Sequence, residues 1–262
     1  MTKVNGKILV VLIGATGNIG DILCRGLERQ SQIKLVTCGR RAGLSRHSHI
    51  YWDFDSEFPS DMVSKYELEN IFLVNASIAW PTSLTDVESS LQTFDKICGA
   101  LPGKKRLIHI SSMSAGSNSL SFYASLKKEE ENRVLANRQV AIRVGIVDSD
   151  PPFGFKSLIM KTSNLIRFVP VPFPTAKVRI TRSEDIVEDV LSAVLHPVAD
   201  KVIHECYSWE GSFYDAIRKL LPRVRLMRLH DYLCFGAARL VRFVANGSSL
   251  SQKIEGILAL RQ

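Results

Sequence analysis

Tyr123 and Lys127 stand four residues apart in the segment Tyr123-Ala124-Ser125-Leu126-Lys127, a spacing that puts both side chains on one face of a helix. A phenol with a pKa near ~10 is a poor base at neutral pH. An ammonium group beside it stabilises the phenolate and moves it toward the working range of general acid/base catalysis. The segment His109-Ile110-Ser111-Ser112-Met113 closes a strand-like pattern just upstream. A hydroxyl there could bond a substrate carbonyl oxygen while Tyr123 gives or takes the proton, and Ser111, Ser112 and Ser114 are the candidates. A lone Tyr-x-x-x-Lys on a helix is often a plain surface pair. Its place directly after this strand favours the catalytic reading.

A second group of residues reads as a phosphate cradle. Gly14-Ala15-Thr16-Gly17-Asn18-Ile19-Gly20 follows an apolar strand and opens a helix. Gly14 permits a tight turn, Gly17 lets backbone approach a pyrophosphate, and Gly20 lets helix pack closely on strand. The helix N-terminus supplies free N–H groups and a favourable dipole to an anion. The end of the second strand decides which dinucleotide fits. An acid there would bond a ribose 2′-hydroxyl and repel a 2′-phosphate. This chain has Cys38-Gly39-Arg40-Arg41 instead, two guanidinium groups and no acid, which favours NADP(H) over NAD(H).

The G-x-x-G-x-x-G spacing and the wording GATGNIG, with Tyr-x-x-x-Lys downstream, resemble the short-chain dehydrogenase/reductases, and in particular their extended branch, the NAD-dependent epimerase/dehydratase family. The resemblance covers residues ~7 to ~195 and is thin beyond. It implies that Gly14, Thr16, Gly17, Asn18, Ile19 and Gly20 hold the cofactor together with Arg40 and Arg41. By the same resemblance Asp53 and Phe54 contact adenine, and Asn75, Ala76 and Ser77 line its ribose. Ser112 becomes the choice among the serines, since the family's Ser-Ser pair uses its second member, and Lys127 reaches the nicotinamide ribose. The strand Arg143-Val144-Gly145-Ile146-Val147 faces the nicotinamide, so Tyr123 and Val144 also count as cofactor contacts. Asp185, in a segment resembling one of the family's, has a helix-capping reading beside its functional one. One departure concerns the substrate loop: a Val-Tyr-Gly signature is replaced by Ser114-Ala115-Gly116-Ser117-Asn118, and Ser112 precedes Tyr123 by only eleven positions.

The elements that must position these residues follow an alternating strand–helix pattern, which predicts a Rossmann-type doubly wound parallel α/β sheet with a small C-terminal substrate lobe. Strands are expected at 7–13, 33–38, a short one ending near 53, 71–76, 106–111 and 139–147. Helices are expected at 18–30, 84–100 and 122–137. Residues 1–150 form the NADP-binding part. Residues 151–262 form a smaller lobe interwoven with the sheet, with helices at 156–168, 211–221, 230–245 and 250–260, a strand at 201–207, and a helix capped by Ser183.

The 262 residues carry a net charge of +8 and are 45% hydrophobic. Mean hydropathy is +0.05, ordinary for a soluble globular chain. The positive charge is either a plain solvated surface or a field that attracts phosphates. No nucleic-acid motif accompanies it. The five cysteines are scattered without a C-x-x-C, and the histidines lack ligand spacing, so neither a disulfide framework nor a metal site is expected. No signal peptide is read at the N-terminus and no apolar run is long enough to span a bilayer, so a cytoplasmic location is expected. Arg239 and Arg242 in the 230–245 helix suit lobe packing or, alternatively, a basic face on a membrane or partner.

The expected function is an NADP(H)-dependent oxidoreductase acting on a carbonyl or secondary alcohol, with a nucleotide-activated sugar as the substrate the resemblance implies. A nucleotide-sugar epimerase is the nearest alternative. A non-catalytic dinucleotide-sensing or assembly protein is the other, although such relatives commonly lose the Tyr-Lys pair. Family members often form homodimers through the helices after the fourth and fifth strands.

Overall fold

The computed structural model describes residues 7–41, 47–65, 70–100, 105–116, 121–165, 169–171, 174–196 and 202–228. The expected helices at 230–245 and 250–260 lie outside them. Six consecutive apolar residues, Ile8–Ile13, form β1, and all six are fully buried. Such a run suits a strand covered on both faces, because alternate side chains point to opposite sides. Ile8, Val10 and Leu12 pack with Leu23 and Leu27 of α1 (Asn18–Leu27) in one layer. Leu9, Val11 and Ile13 face the second layer.

The chain then forms β2 (Ile33–Gly39), β3 (Ser48–Tyr51), a short α2 (Ser60–Ser64), β4 (Asn70–Asn75), α3 (Leu84–Gly99) and β5 (Lys105–Ser112). A 3-10 turn over Met113–Gly116 leads toward α4 (Phe122–Ala136), β6 (Val140–Val144) and β7 (Ile146–Asp148). Next come α5 (Gly154–Leu165), β8 (Val169–Val171), β9 (Lys177–Arg182), α6 (Ser183–Leu195) and β10 (Val202–Cys206). β11 (Trp209–Ser212), α7 (Phe213–Leu220) and β12 (Leu226–Arg228) end the described part.

Seven strands pair in the order β10-β6-β5-β4-β1-β2-β3, all parallel. The chain runs one way from β1 to β2 and β3 and the other way from β1 to β4, β5 and β6. The switch therefore lies between β1 and β4, where ligands of open α/β sheets bind. In register, Ile13 pairs with Cys38 and with Asn75, Asn75 with His109, and Ser112 with Val144. The motif residues thus lie together along the carboxyl ends of five strands.

Two smaller sheets, β11-β9-β7 and β12-β8, enclose a separate apolar cluster around Val171, Ile180, Phe213 and Ile217. Meanwhile α6 returns to the main layers, its Ile186, Val190 and Val194 packing with the α1 core, and β10 joins the edge of the large sheet.

Several expectations need correction. The strand expected at 139–147 is two strands, because Gly145 N–H donates to Thr181 Oγ1 at 2.8 Å and β7 leaves to pair with β9. Ser183 is not the cap of α6. Arg182 holds the cap position without a side-chain cap bond, and Ser183 Oγ bonds Glu184 instead. Asp185 accepts from the Arg182 guanidinium at 2.6 and 3.1 Å and from its backbone N–H, closing a capping loop. The helix expected from residue 211 begins at Phe213, since Trp209–Ser212 pair with β9.

Candidate active site

Gly14 adopts φ +82°, and a Cβ there would lie 2.7 Å from backbone atoms of Ser77, so glycine is required on both counts. At Gly20 a Cβ would stand 2.1 Å from Gly14 O, so the helix can approach the turn only without a side chain. Gly17 differs: a Cβ there meets only Gly14 O, at 3.3 Å, leaving open space beyond the turn. Gly17 caps α1 with no side-chain bond, so the N–H groups of the first turn are not taken by a cap side chain. Thr16, Asn18 and Ile19 lie in this turn and the first residues of α1. This cradle fits a dinucleotide pyrophosphate.

Arg40 and Arg41 follow β2 directly and are both exposed. The Arg40 guanidinium sits 5.8 Å from the Phe54 ring centroid, and Phe54 takes φ 75°. Asp53 Oδ1 is engaged by its own loop, accepting from Asp55 N, Ser56 N and Ser56 Oγ at 3.0, 2.9 and 2.7 Å. Those bonds, led by the Ser56 backbone N–H, hold its carboxyl below the usual range.

At the end of β4, Asn75 is buried and its Oδ1 accepts from Ser77 N at 3.1 Å and Ser77 Oγ at 2.6 Å. Ala76 N–H donates to Ile13 O at 3.0 Å, tying this segment to β1. Successive strand residues face opposite ways, and this separates the serines of β5. Ser111 is buried and donates to Glu131 Oε1 at 2.6 Å. Ser112 instead turns toward the Tyr123 hydroxyl and receives Ser114 N and Oγ at 3.3 and 3.0 Å. Val144 lies beside Ser112 in register and is buried.

Helix α4 is capped by Ser121, which accepts from Ala124 N at 3.1 Å, and this fixes Tyr123 in the first turn. Lys127 is one turn on and 1% exposed. Trp80, in the loop after β4, stacks on Tyr123 with ring centroids 4.5 Å apart and planes 18° apart. The indole is itself 52% exposed. It therefore covers the phenol while presenting its other face to solvent.

Electrostatically the Tyr-Lys pair is not isolated. Lys127 Nζ donates to Glu130 Oε2 at 2.7 Å, and His109 Nε2 lies 3.1 Å from the same oxygen without the alignment of a full hydrogen bond. Burial alone would raise the Glu130 carboxyl, but Lys127 and His109 outweigh it and hold it down at about 2. Burial would lower Lys127, yet Glu130 and Tyr123 keep it above the ordinary value. Burial and the Lys127 charge hold His109 below its usual range, so it is neutral. Tyr123 is raised: burial of the hydroxyl exceeds the opposing pull of Lys127 and of the nearby Ser112 hydroxyl.

No family model matches the chain, and no curated protein is similar to it in sequence. Solved structures are similar in fold. A nucleoside-diphosphate-sugar epimerase from Staphylococcus aureus superposes with a TM-score of 0.71 at 11% identity, covering 97% of this chain and 92% of that one. A UDP-glucuronic acid 4-epimerase from Bacillus cereus, solved with NAD, gives 0.66 at 16% identity over 84% and 87%. A dTDP-4-dehydrorhamnose reductase from Clostridium acetobutylicum gives 0.67 at 12% identity over 85% and 84%. What these structures share with the chain is the fold, a Rossmann-type parallel α/β sheet flanked by helices.

In this fold the structure brings Gly14–Gly20, Asn75–Ser77, Ser112, Tyr123, Lys127 and Val144 to the carboxyl ends of the strands, with Arg40, Arg41, Asp53 and Phe54 at the β2–β3 side. Sequence reading missed Trp80, Glu130 and His109 as neighbours of the pair. For Glu130 and Glu131 a signal existed. Ala124, Lys127, Glu131 and Val134 recur at helical spacing, so charges fall on the seam that α4 buries. For Trp80 the sequence carries no such signal. Four free cysteines are described, and burial raises the thiols, to about 11 at Cys24 and about 12 at Cys38, so they are poor nucleophiles. Cys234 lies outside the described residues, among which no helix is long and apolar enough to cross a membrane.

Proposed function

We propose that this chain is an NADP(H)-dependent oxidoreductase that interconverts a carbonyl and a secondary alcohol on a nucleotide-activated sugar. The arrangement that supports this reading is the meeting of Tyr123 and Ser112 at the carboxyl ends of the strands, with Lys127 one helical turn on. The dinucleotide would be held by the Gly14–Gly20 turn, by Asn75–Ser77 and by Val144. Arg40 and Arg41 would take the 2′-phosphate, since β2 ends without a carboxylate to repel it. Once bound, it supplies or accepts the hydride.

The protein's own part is proton transfer and orientation. Ser112 donates a hydrogen bond to the carbonyl oxygen, which polarises the carbon for hydride arrival. As the oxygen gains the carbonyl's electron pair, the O–H bond of Tyr123 breaks and an O–H bond forms on the substrate. The phenolate left behind is reprotonated from solvent. Trp80 covers the exposed flank of Tyr123 and limits access of water. The fold's likeness to sugar-nucleotide epimerases, a dehydratase and a reductase supports the substrate class.

The test is NADPH consumption by purified protein offered 4-keto and 6-deoxy-4-keto nucleotide sugars, with Tyr123→Phe alongside. Turnover that vanishes in the variant while NADPH binding persists supports the reading. Sugar isomerised with no net change in dinucleotide would make the protein an epimerase. Turnover undiminished in Tyr123→Phe would remove Tyr123 from the chemistry.

A further inference from the structure

Two carboxylates on the inner side of α4 are buried, and they end on different partners. Glu131 binds Ser111 Oγ at 2.6 Å and the Arg143 guanidinium at 2.9 and 2.7 Å, tying α4 to β5 and β6. Glu130 faces Lys127 and His109 instead.

The protons along this second line can be assigned by elimination. Ser77 N–H is an obligate donor, so the Asn75 atom that receives it is the amide oxygen. The other amide atom, Nδ2, can only donate, and it lies 3.3 Å from His109 Nδ1. His109 Nδ1 is therefore the bare nitrogen, and the ring hydrogen of the neutral imidazole sits on Nε2, facing Glu130. The carboxylate thus meets one neutral N–H and one cation, and with Lys127 it forms a pair of zero net charge. Among the described residues, the groups that bear on the Tyr123 hydroxyl are Lys127, Glu130 and Ser112. Behind them, His109 on β5 is neutral and Arg143 on β6 is matched by Glu131. The loop after β4 contributes the uncharged ring of Trp80.

We propose that Glu130 is a positioning residue that anchors Lys127 and cancels most of its charge at Tyr123, leaving the resting phenol protonated and the site set to reduce a carbonyl rather than oxidise an alcohol. An uncompensated ammonium one turn away would favour the phenolate, which is the form needed for oxidation. With Glu130 charged and 2.7 Å from Nζ, that bias is opposed at its source. Tyr123 is raised chiefly by its burial, with Glu130 adding to that and Lys127 pulling the other way. The inference rests on the reading of Tyr123 as the proton donor, and it adds the direction in which that donor is set.

The experiment needs neither substrate nor cofactor. The full chain is labelled at the hydroxyl-bearing ring carbon of its six tyrosines, and their ionisation is followed by carbon NMR against pH. The Tyr123→Phe spectrum identifies the resonance. In wild type, Tyr123 stays protonated through the pH at which exposed tyrosines ionise, near ~10. In Glu130→Gln its ionisation moves down by about one pH unit or more. Ionisation of wild-type Tyr123 below the exposed tyrosines, or no movement in folded Glu130→Gln, overturns the proposal. Should that variant not fold, Lys127→Met/Glu130→Gln removes both charges together. It is expected to titrate Tyr123 within about half a unit of wild type. A rise of more than about one unit would mean that the Lys127 charge reaches the phenol uncancelled, and the proposal fails. A failed substrate screen leaves this result standing, and its own failure leaves dinucleotide binding untouched.

Discussion

Gly17→Ala should separate the stability of the fold from its binding of a dinucleotide. Residue 17 has φ −79°, which alanine adopts freely, and the added methyl would meet only Gly14 O at 3.3 Å. Alanine is a poorer helix N-cap than glycine by less than about 1 kcal/mol. It also loses less backbone entropy on folding, which offsets roughly 0.4–1 kcal/mol. The urea midpoint should therefore stay within about 1 kcal/mol of wild type. Binding is different, because the space a methyl would fill is that through which backbone N–H groups reach a phosphate. One charge-assisted hydrogen bond is worth about 1.5–3 kcal/mol, so NADPH should bind roughly 10- to 100-fold more weakly by calorimetry. Gly20→Ala supplies the contrast. Its Cβ would stand 2.1 Å from Gly14 O and 2.7 Å from Ala15 Cα, backbone atoms that cannot turn aside. Such overpacking should cost about 3 kcal/mol. If Gly17→Ala binds NADPH as wild type does, the turn is not the pyrophosphate site. If it is destabilised as much as Gly20→Ala, the reasoning from open space is wrong.

Arg40→Ala/Arg41→Ala should weaken NADPH binding by about tenfold or more while leaving NADH unchanged, and equal losses for both would place the 2′-phosphate elsewhere. Trp80→Ala should lower stability by only about 1 kcal/mol, since the ring is half exposed, and should raise the KM for the sugar more than it lowers kcat. A kcat loss at constant KM would show the indole acting through the ionisation of Tyr123. The folded protein holds Glu130 at about 2, against an ordinary 4.5, so its pairing stabilises the fold fully above about pH 4.5 and that stability is lost as pH falls toward 2. Urea unfolding of Glu130→Gln against pH should lack that part of the acid sensitivity, and an unchanged profile would assign it to other carboxylates. Glu131→Ala should cost about 3 kcal/mol, because it strands the Arg143 guanidinium and the buried Ser111 hydroxyl.

The parts of this molecule legible in its sequence are those where a single local requirement dominates. An unbroken apolar run can only be a doubly covered strand, and the glycines after it can only be a tight turn with close helix packing, so β1 and its turn were readable residue by residue. The small sheets were not. β9 carries Lys177, Arg179 and Arg182 around three buried residues, and β11 is four residues beginning with Trp209. Their strand character comes from pairing with each other and with β7, which no local pattern encodes. The break at Gly145 is of the same kind, set by a hydroxyl thirty-six residues away. The environment of Tyr123 was hidden for another reason. Lys127-Lys128-Glu129-Glu130-Glu131 looks like a solvated helix face, yet three of its five residues are buried.

That seam buries ionised groups under α4. Buried ionised groups are rarely a net gain over well-packed apolar side chains of similar volume, and they persist without penalty only where every lone pair and proton is matched. The two halves of the seam differ in this, since the His109 Nε2–H beside Glu130 lacks a full hydrogen bond. Glu131 closes on Ser111 and Arg143, and Arg143 goes on to Glu205 at 3.3 Å, so this half ends on the outer edge of the sheet and ties elements together. The Glu130 half ends at Lys127 on one side and at the Asn75–Ser77 segment on the other. Under the proposed function these are the places that would meet the nicotinamide and adenosine halves of the cofactor. A line that served only to hold α4 would not need to run through the tautomer of a buried histidine to the backbone of Ser77. Its course puts the segment that would line the adenine ribose and the lysine that supports Tyr123 on one line of polar contacts, whose weakest link is the 3.1 Å approach of His109 Nε2 to Glu130 Oε2.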